Sequence, residues 1–90
     1  MTAELRLRLR TEGLDWRAVQ GRIVALLPGD RGEIVVNRTG TVLWRLLAEG
    51  ADPGRLRDQL VESFGIDRVA AERDVAAFLA ELRRRRLLEG

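Results

Sequence analysis

Gly32-Glu33-Ile34-Val35-Val36-Asn37-Arg38-Thr39-Gly40-Thr41-Val42-Leu43-Trp44-Arg45-Leu46-Leu47 changes its periodicity halfway along. The Ile34-Val35-Val36 run is short, β-branched and continuous, which reads as a strand over Glu33 to Val36. Asn-x-Thr-Gly breaks that run, and Asn37 or Thr39 can cap a helix by accepting hydrogen bonds from its free amides. Val42, Leu43, Leu46 and Leu47 then recur at helical spacing, and Gly50 supplies the stop. Trp44 sits beside this stripe, so it is expected to be partly buried.

Upstream, Pro28-Gly29-Asp30-Arg31-Gly32 is a turn signal that predicts a hairpin between Arg22–Leu27 and the Glu33 strand. Trp16 to Gly21 has no clear assignment. Leu5, Leu7 and Leu9 alternate with Arg6, Arg8 and Arg10, the pattern of a half-buried strand. Downstream, Asp52-Pro53 reads as a cap followed by proline at the first helical position. Leu56, Leu60, Val61 and Phe64 face inward there, and Gly65 ends the helix. Asp67 caps a last helix running to about Arg85, with Val75, Phe78, Leu79 and Leu82 on its core stripe. A small sheet cannot bury its apolar face alone, so the helices must cover it. The expected fold is α+β and winged-helix-like, a single domain over residues 1–90 with a three-stranded antiparallel sheet followed by three helices.

Composition removes most chemistries. The 90 residues contain no His, Cys, Tyr or Lys, and Ser63 is the only serine. Histidine and cysteine metal sites, thiol and Schiff-base chemistry, Ser-His arrangements and lysine-bearing phosphate loops are therefore excluded. The 14 acidic residues are scattered among 16 arginines and read as a charged surface. Neither an enzyme activity nor a cofactor is expected. A net charge of +2 gives weak attraction to polyanions. The apolar runs are too short for a membrane span or signal peptide, so no membrane partner and a cytoplasmic location are expected.

Two places offer themselves to a ligand. The Glu33–Val36 strand should lie at a sheet edge, whose unpaired N–H and C=O groups accept an extended peptide or else are protected by shortness alone. On the last helix, one flank of the core stripe carries Val69, Arg73, Ala76, Ala80 and Arg83. Small residues allow close approach of another backbone and arginines can hold carboxylates, although alanines also simply favour helix. The opposite flank of Asp74, Glu81 and Arg85 reads as solvated. Arg83-Arg84-Arg85-Arg86 points all around a helix end and suits its dipole.

The order of these landmarks resembles the PqqD-like family, peptide-recognition domains of ribosomal peptide-modification pathways. The resemblance rests on the Gly32-to-Asn37 strand, the Thr39-Gly40 turn and Trp44-Arg45-Leu46-Leu47. It continues through the Asp52 helix start, the Phe64-Gly65-Ile66-Asp67 link and the Asp74-Val75, Phe78-Leu79, Leu82 and Leu87 closing pattern. The chain looks most like the stand-alone lasso-peptide type. The resemblance implies a non-catalytic protein that binds a precursor's leader as a strand beside the third strand and against the third helix. The implied peptide-binding residues are Glu33, Ile34, Val35, Val36, Val69, Arg73, Ala76, Ala80 and Arg83. The implied partners are a leader peptidase and a macrocyclase, or a radical-SAM enzyme if the pathway is that of PQQ. A winged-helix DNA-binding protein is the competing class, but the middle helix offers only Arg55 and Arg57 beside Asp58 and Glu62, so no nucleic-acid partner is expected. A subunit that pairs with itself through the sheet edge is the third reading.

Overall fold

The computed structural model describes residues 6–89, so the expectation for Leu5 lies outside the described residues. The order of elements is β1 (Arg8–Leu9), β2 (Asp15–Val19), β3 (Arg22–Leu26), β4 (Glu33–Val36), α1 (Arg38–Glu49), α2 (Pro53–Phe64), α3 (Arg68–Arg84) and β5 (Leu88–Glu89). Strands β2, β3 and β4 form the antiparallel three-stranded sheet in that spatial order, and the three helices follow it. The α+β class holds, with one correction to the identity of the strands. The sheet begins with Asp15–Val19, most of which lies in the Trp16–Gly21 segment without a clear sequence assignment, and not with the Leu-Arg alternation near the N-terminus. Gln20 and Gly21 both have positive φ, at 51° and 78°, so a two-residue turn closes the β2–β3 hairpin. A glutamine at the first of those positions hides the turn from a reading based on Asn-Gly or Asp-Gly.

The Leu-Arg alternation is half-buried as its period implies, with Leu7 and Leu9 in the core. Its partners come from elsewhere in the chain. β1 pairs with β5, Leu9 opposite Leu88, and Leu7 exchanges two 2.9 Å backbone hydrogen bonds with Ala51. Arg6 and Arg8 donate to the carbonyl of Glu49, an orphan acceptor at the end of α1.

Capping follows the sequence closely. Asn37 Oδ1 accepts from Gly40 N at 2.8 Å, while Thr39 Oγ1 donates to the same oxygen instead of capping on its own. Asp52 caps α2 through Arg55 N, and Asp67 caps α3 through Ala70 N. α3 closes with Arg86 in the left-handed region at φ 59° and with Leu87 N donating to Leu82 O at 2.8 Å. That reversal satisfies the terminal carbonyls and sends Leu87 and Leu88 back into the core.

The core lies between the inner face of the sheet and the helices. Ile23, Ala25, Val36, Leu43, Leu47, Leu56, Leu60, Val75, Leu79 and Leu82 are buried in it. Trp44 is fully buried (0% exposed), more than its place beside the stripe implied, and meets Trp16 edge to face at 5.9 Å. Phe64 and Phe78 face the core less than their spacing predicts: Phe64 is exposed and Phe78 half-buried.

The joint between β4 and α1 is the tightest point. Ile23 N–H donates to the buried Thr41 Oγ1 at 3.1 Å, and that hydroxyl lies 3.4 Å from the Val36 carbonyl. A single side chain thus carries the end of the β3–β4 ladder onto the first turn of α1. At Gly40 an added Cβ would come within 2.5 Å of Val36 Cγ1 and 3.0 Å of Phe78 Cε1. Gly40→Ala should therefore lower stability by about 1–3 kcal/mol through overpacking, despite the better helix propensity of alanine. Thr41→Val should cost about 1–3 kcal/mol by removing the buried hydroxyl that accepts from the Ile23 N–H and donates to the Val36 carbonyl. Chemical denaturation of both variants measures these effects, and an unchanged midpoint would contradict the assigned contacts.

Candidate functional site

The register of the sheet decides which backbone groups of β4 are available. Leu26 stands opposite Glu33, Ala25 opposite Ile34, Val24 opposite Val35 and Ile23 opposite Val36. Leu27 N donates to Gly32 O at 2.8 Å, which makes the Leu27–Gly32 pair a hydrogen-bonded one. Antiparallel pairs alternate, so Ile34 and Val36 direct their backbone groups towards β3, whereas Glu33 and Val35 direct theirs away from it. No described strand pairs with β4 on that side. The side chains alternate in the other sense. Ile34 and Val36 face inward, and Val35 lies on the outer face with 59% exposure.

A groove runs between this open edge and α3. Its first part, about 210 Å³, is lined by Ile34, Val35, Val36, Asn37, Phe78, Glu81, Leu82 and Arg85. A second part of about 420 Å³ continues past Asn37, Thr39, Gly40 and Leu43, with Asp74, Ala77 and Phe78 on the α3 side. Asn37 and Phe78 border both, so the two form one channel along the helix. Gly40 lets α3 approach α1 here, and Phe78 forms the floor where the two parts meet.

The structure brings Glu33, Ile34, Val35 and Val36 to the edge as the sequence predicts. It does not bring Val69, Arg73, Ala76, Ala80 and Arg83 to that edge. Those residues occupy the other flank of α3. Ala76 and Arg83 line a separate cleft of about 510 Å³ with Pro53, Gly54 and Arg57 of α2, and Val69, Arg73 and Ala80 are exposed. The wall facing β4 is the flank that reads as merely solvated in the sequence. Helical period identifies a stripe and two flanks, but which flank meets the sheet depends on how the helix is laid down. Here α2 packs against one side of α3 and thereby turns Asp74, Glu81 and Arg85 to the groove.

The electrostatics of this wall centre on Glu81. Its Oε2 accepts from Arg85 Nε at 2.6 Å and from Arg84 Nη2 at 2.5 Å. Arg84 first, and Arg85 second, hold the Glu81 carboxyl below the usual glutamate range through these hydrogen bonds. Arg31 reaches across from the turn before β4 and donates to the Arg85 carbonyl at 3.0 Å. The end of α3 is therefore tied to the beginning of β4, and the two elements run in opposite directions along the groove. On α2, Arg57 is engaged by Asp58 at 2.9 Å and faces Glu72 at 3.8 Å, which spoils it as part of a basic recognition helix.

Among the described residues no cluster of three or more His, Cys, Asp or Glu is placed to hold a metal, and no helix is long and apolar enough to cross a membrane. The lowered Glu81 value has a defined sign. Its carboxylate stays ionised throughout the neutral range, and the cluster is lost only as pH falls through the lowered value. Arg84→Ala should move the Glu81 carboxyl titration, followed by carbon-detected NMR, upward towards that of a free glutamate. A titration that does not move would remove Arg84 as its main partner.

No curated protein matches the chain. Among solved structures, "TbiB1 in Complex with the TbiA(beta) Leader Peptide" is similar, with 26% identity and a TM-score of 0.82, over 92% of this chain and 95% of that one. "Lasso peptide synthetase B1 complexed with the leader peptide" is similar too, with 25% identity and a TM-score of 0.77, over 93% of this chain and 98% of that one. The family model described as "Coenzyme PQQ synthesis protein D (PqqD)" matches residues 23–88, from the start of β3 to the last strand, and the chain belongs to that family.

Proposed function

We propose that this protein is a binding module that recognises the leader segment of a ribosomally made precursor peptide, the lasso-peptide type fitting best. The observation that carries the reading is the open β4 edge, with Glu33 and Val35 backbone groups directed outward into a groove floored by α3. An extended peptide adds there as a fourth strand, and its inward side chains meet Ile34, Val36, Phe78 and Leu82. The near full-length likeness to two leader-bound proteins supports this occupant, and the likeness to a lasso peptide synthetase B1 supports the pathway. Delivery of the bound precursor to a leader peptidase and a macrocyclase follows from that pathway. The residues proposed to bind peptide are Glu33, Ile34, Val35 and Val36 on the strand. On α3 the groove geometry favours Phe78, Glu81, Leu82 and Arg85 over the Ala76 and Ala80 flank.

The test uses the register. Val35→Pro removes an N–H that the β3–β4 ladder does not use, and proline is tolerated on an edge strand whose N–H faces outward. The variant should fold, yet its affinity for a synthetic leader peptide that the unaltered protein binds should fall roughly five- to tenfold, the equivalent of about 1 kcal/mol or more. Ala76→Arg and Ala80→Arg, on the other flank, should leave the affinity unchanged. Isothermal titration with a circular-dichroism check of folding reads both arms. Binding that survives Val35→Pro but fails with Ala76→Arg would move the peptide to the α2 side of α3.

A further inference from the structure

One end of the groove is charged in a way that strand addition alone does not use. Three guanidinium groups, those of Arg31, Arg84 and Arg85, gather where α3 ends beside the start of β4, and Glu81 is the carboxylate among them. Both Arg84 and Arg85 bond to the same glutamate oxygen, so the local charge remains positive. Arg85 is held through its Nε at 2.6 Å, which fixes the plane of its guanidinium. No hydrogen bond within the described residues uses its two terminal nitrogens, and the residue lines the groove. An arginine oriented by one carboxylate, with its outer donors free, presents a preformed fork for a second carboxylate.

Resting on the proposed strand addition, we infer that the groove reads an acidic side chain, and that Arg85 is the residue that receives it. Register fixes where that side chain must lie. A peptide residue paired opposite Ile34 points, like Ile34, to the inner side and hence towards α3. Since Arg31 ties the end of α3 to the start of β4, Arg85 serves this end of the strand, and Asp74 lies at the other. In the antiparallel orientation, the slightly more stable one, the strand enters near Asn37 and leaves near Glu33. The acidic residue therefore falls at the C-terminal end of the paired segment, two residues after an apolar one that packs on Phe78. Asp74 at the opposite end disfavours acid there, so the groove reads charge direction as well as charge.

The experiment selects a random dodecapeptide display library on the intact protein, on Arg85→Glu and on Glu81→Gln. The expected result on the wild type is enrichment of Asp or Glu at one fixed position, two residues C-terminal to an enriched apolar position. Arg85→Glu should replace that preference by Lys or Arg at the same position, while Glu81→Gln keeps it. Selected peptides should also protect the Glu33 and Val35 amides from hydrogen exchange. Peptides that protect those amides but show no acidic preference, or keep it in Arg85→Glu, overturn the charge reading and leave strand addition standing. Peptides that bind without protecting those amides, or no enrichment at all, overturn strand addition and the charge reading with it.

Discussion

The Thr41 hydroxyl is the point on which the arrangement of sheet and helices depends. The β3–β4 ladder ends with Ile23 opposite Val36, and there Thr41 Oγ1 accepts from the Ile23 N–H and donates to the Val36 carbonyl. A buried N–H left without a partner costs about 1–3 kcal/mol, so the first turn of α1 is drawn onto the end of the sheet. Asn37 caps that turn from the same side, and Gly40 gives Val36 and Phe78 room to meet. The consequence reaches beyond the joint. With α1 fixed against β4, the surface left for α3 is beside the β4 edge, and Phe78 enters the space that Gly40 leaves open.

That placement explains how an unpaired strand edge is kept. Long flat edges invite pairing with any extended chain, and proteins blunt them with shortness, charge or cover. β4 has four residues and only Glu33 and Val35 direct backbone groups outward. α3 covers the inner side of the approach, and the guanidinium cluster at its end adds charge. An incoming strand must therefore satisfy a channel wall as well as a ladder. Indiscriminate pairing, including pairing with a second copy, is restrained by the same wall that gives a fitting peptide its contacts.

How much of this was legible in the sequence follows from the range over which each signal acts. The caps at Asn37, Asp52 and Asp67, the Glu33–Val36 strand and the glycine stops are local, and local hydrogen bonding dictates them. β2 was obscured because its turn uses Gln20 at positive φ and because exposure of Asp15, Arg17, Ala18 and Val19 leaves no clean alternation. The partner of the N-terminal strand was out of reach, since Leu9 pairs with Leu88 across nearly the whole chain. The choice between the two flanks of α3 was equally non-local. Alanines and arginines on one side suggest a binding surface, but that side borders α2 across a separate cleft, while Glu81 and Arg85 turn to the sheet.

The balance between backbone and side-chain contacts follows from the same geometry. Two outward-facing residues on β4 offer at most four backbone hydrogen bonds, each worth about 0.5–1.5 kcal/mol net, against the cost of ordering a flexible peptide. Backbone pairing is also blind to sequence, because every residue but proline carries the same groups. Selectivity must then reside in the wall that faces the added strand. That wall is a single face of α3, whose apolar floor at Phe78 and Leu82 is separated from the charged end at Glu81 and Arg85 by less than two helical turns. Since a helix advances 1.5 Å per residue and a strand about 3.3 Å, residues 78 and 85 span about as much length as three peptide residues. Two peptide positions advance only about 6.6 Å, and Arg85, whose Nε reaches back one turn to Glu81, spans the remainder. An apolar side chain and its neighbour two positions on therefore meet the floor and the arginine in one register, and a one-residue slip would turn both to solvent.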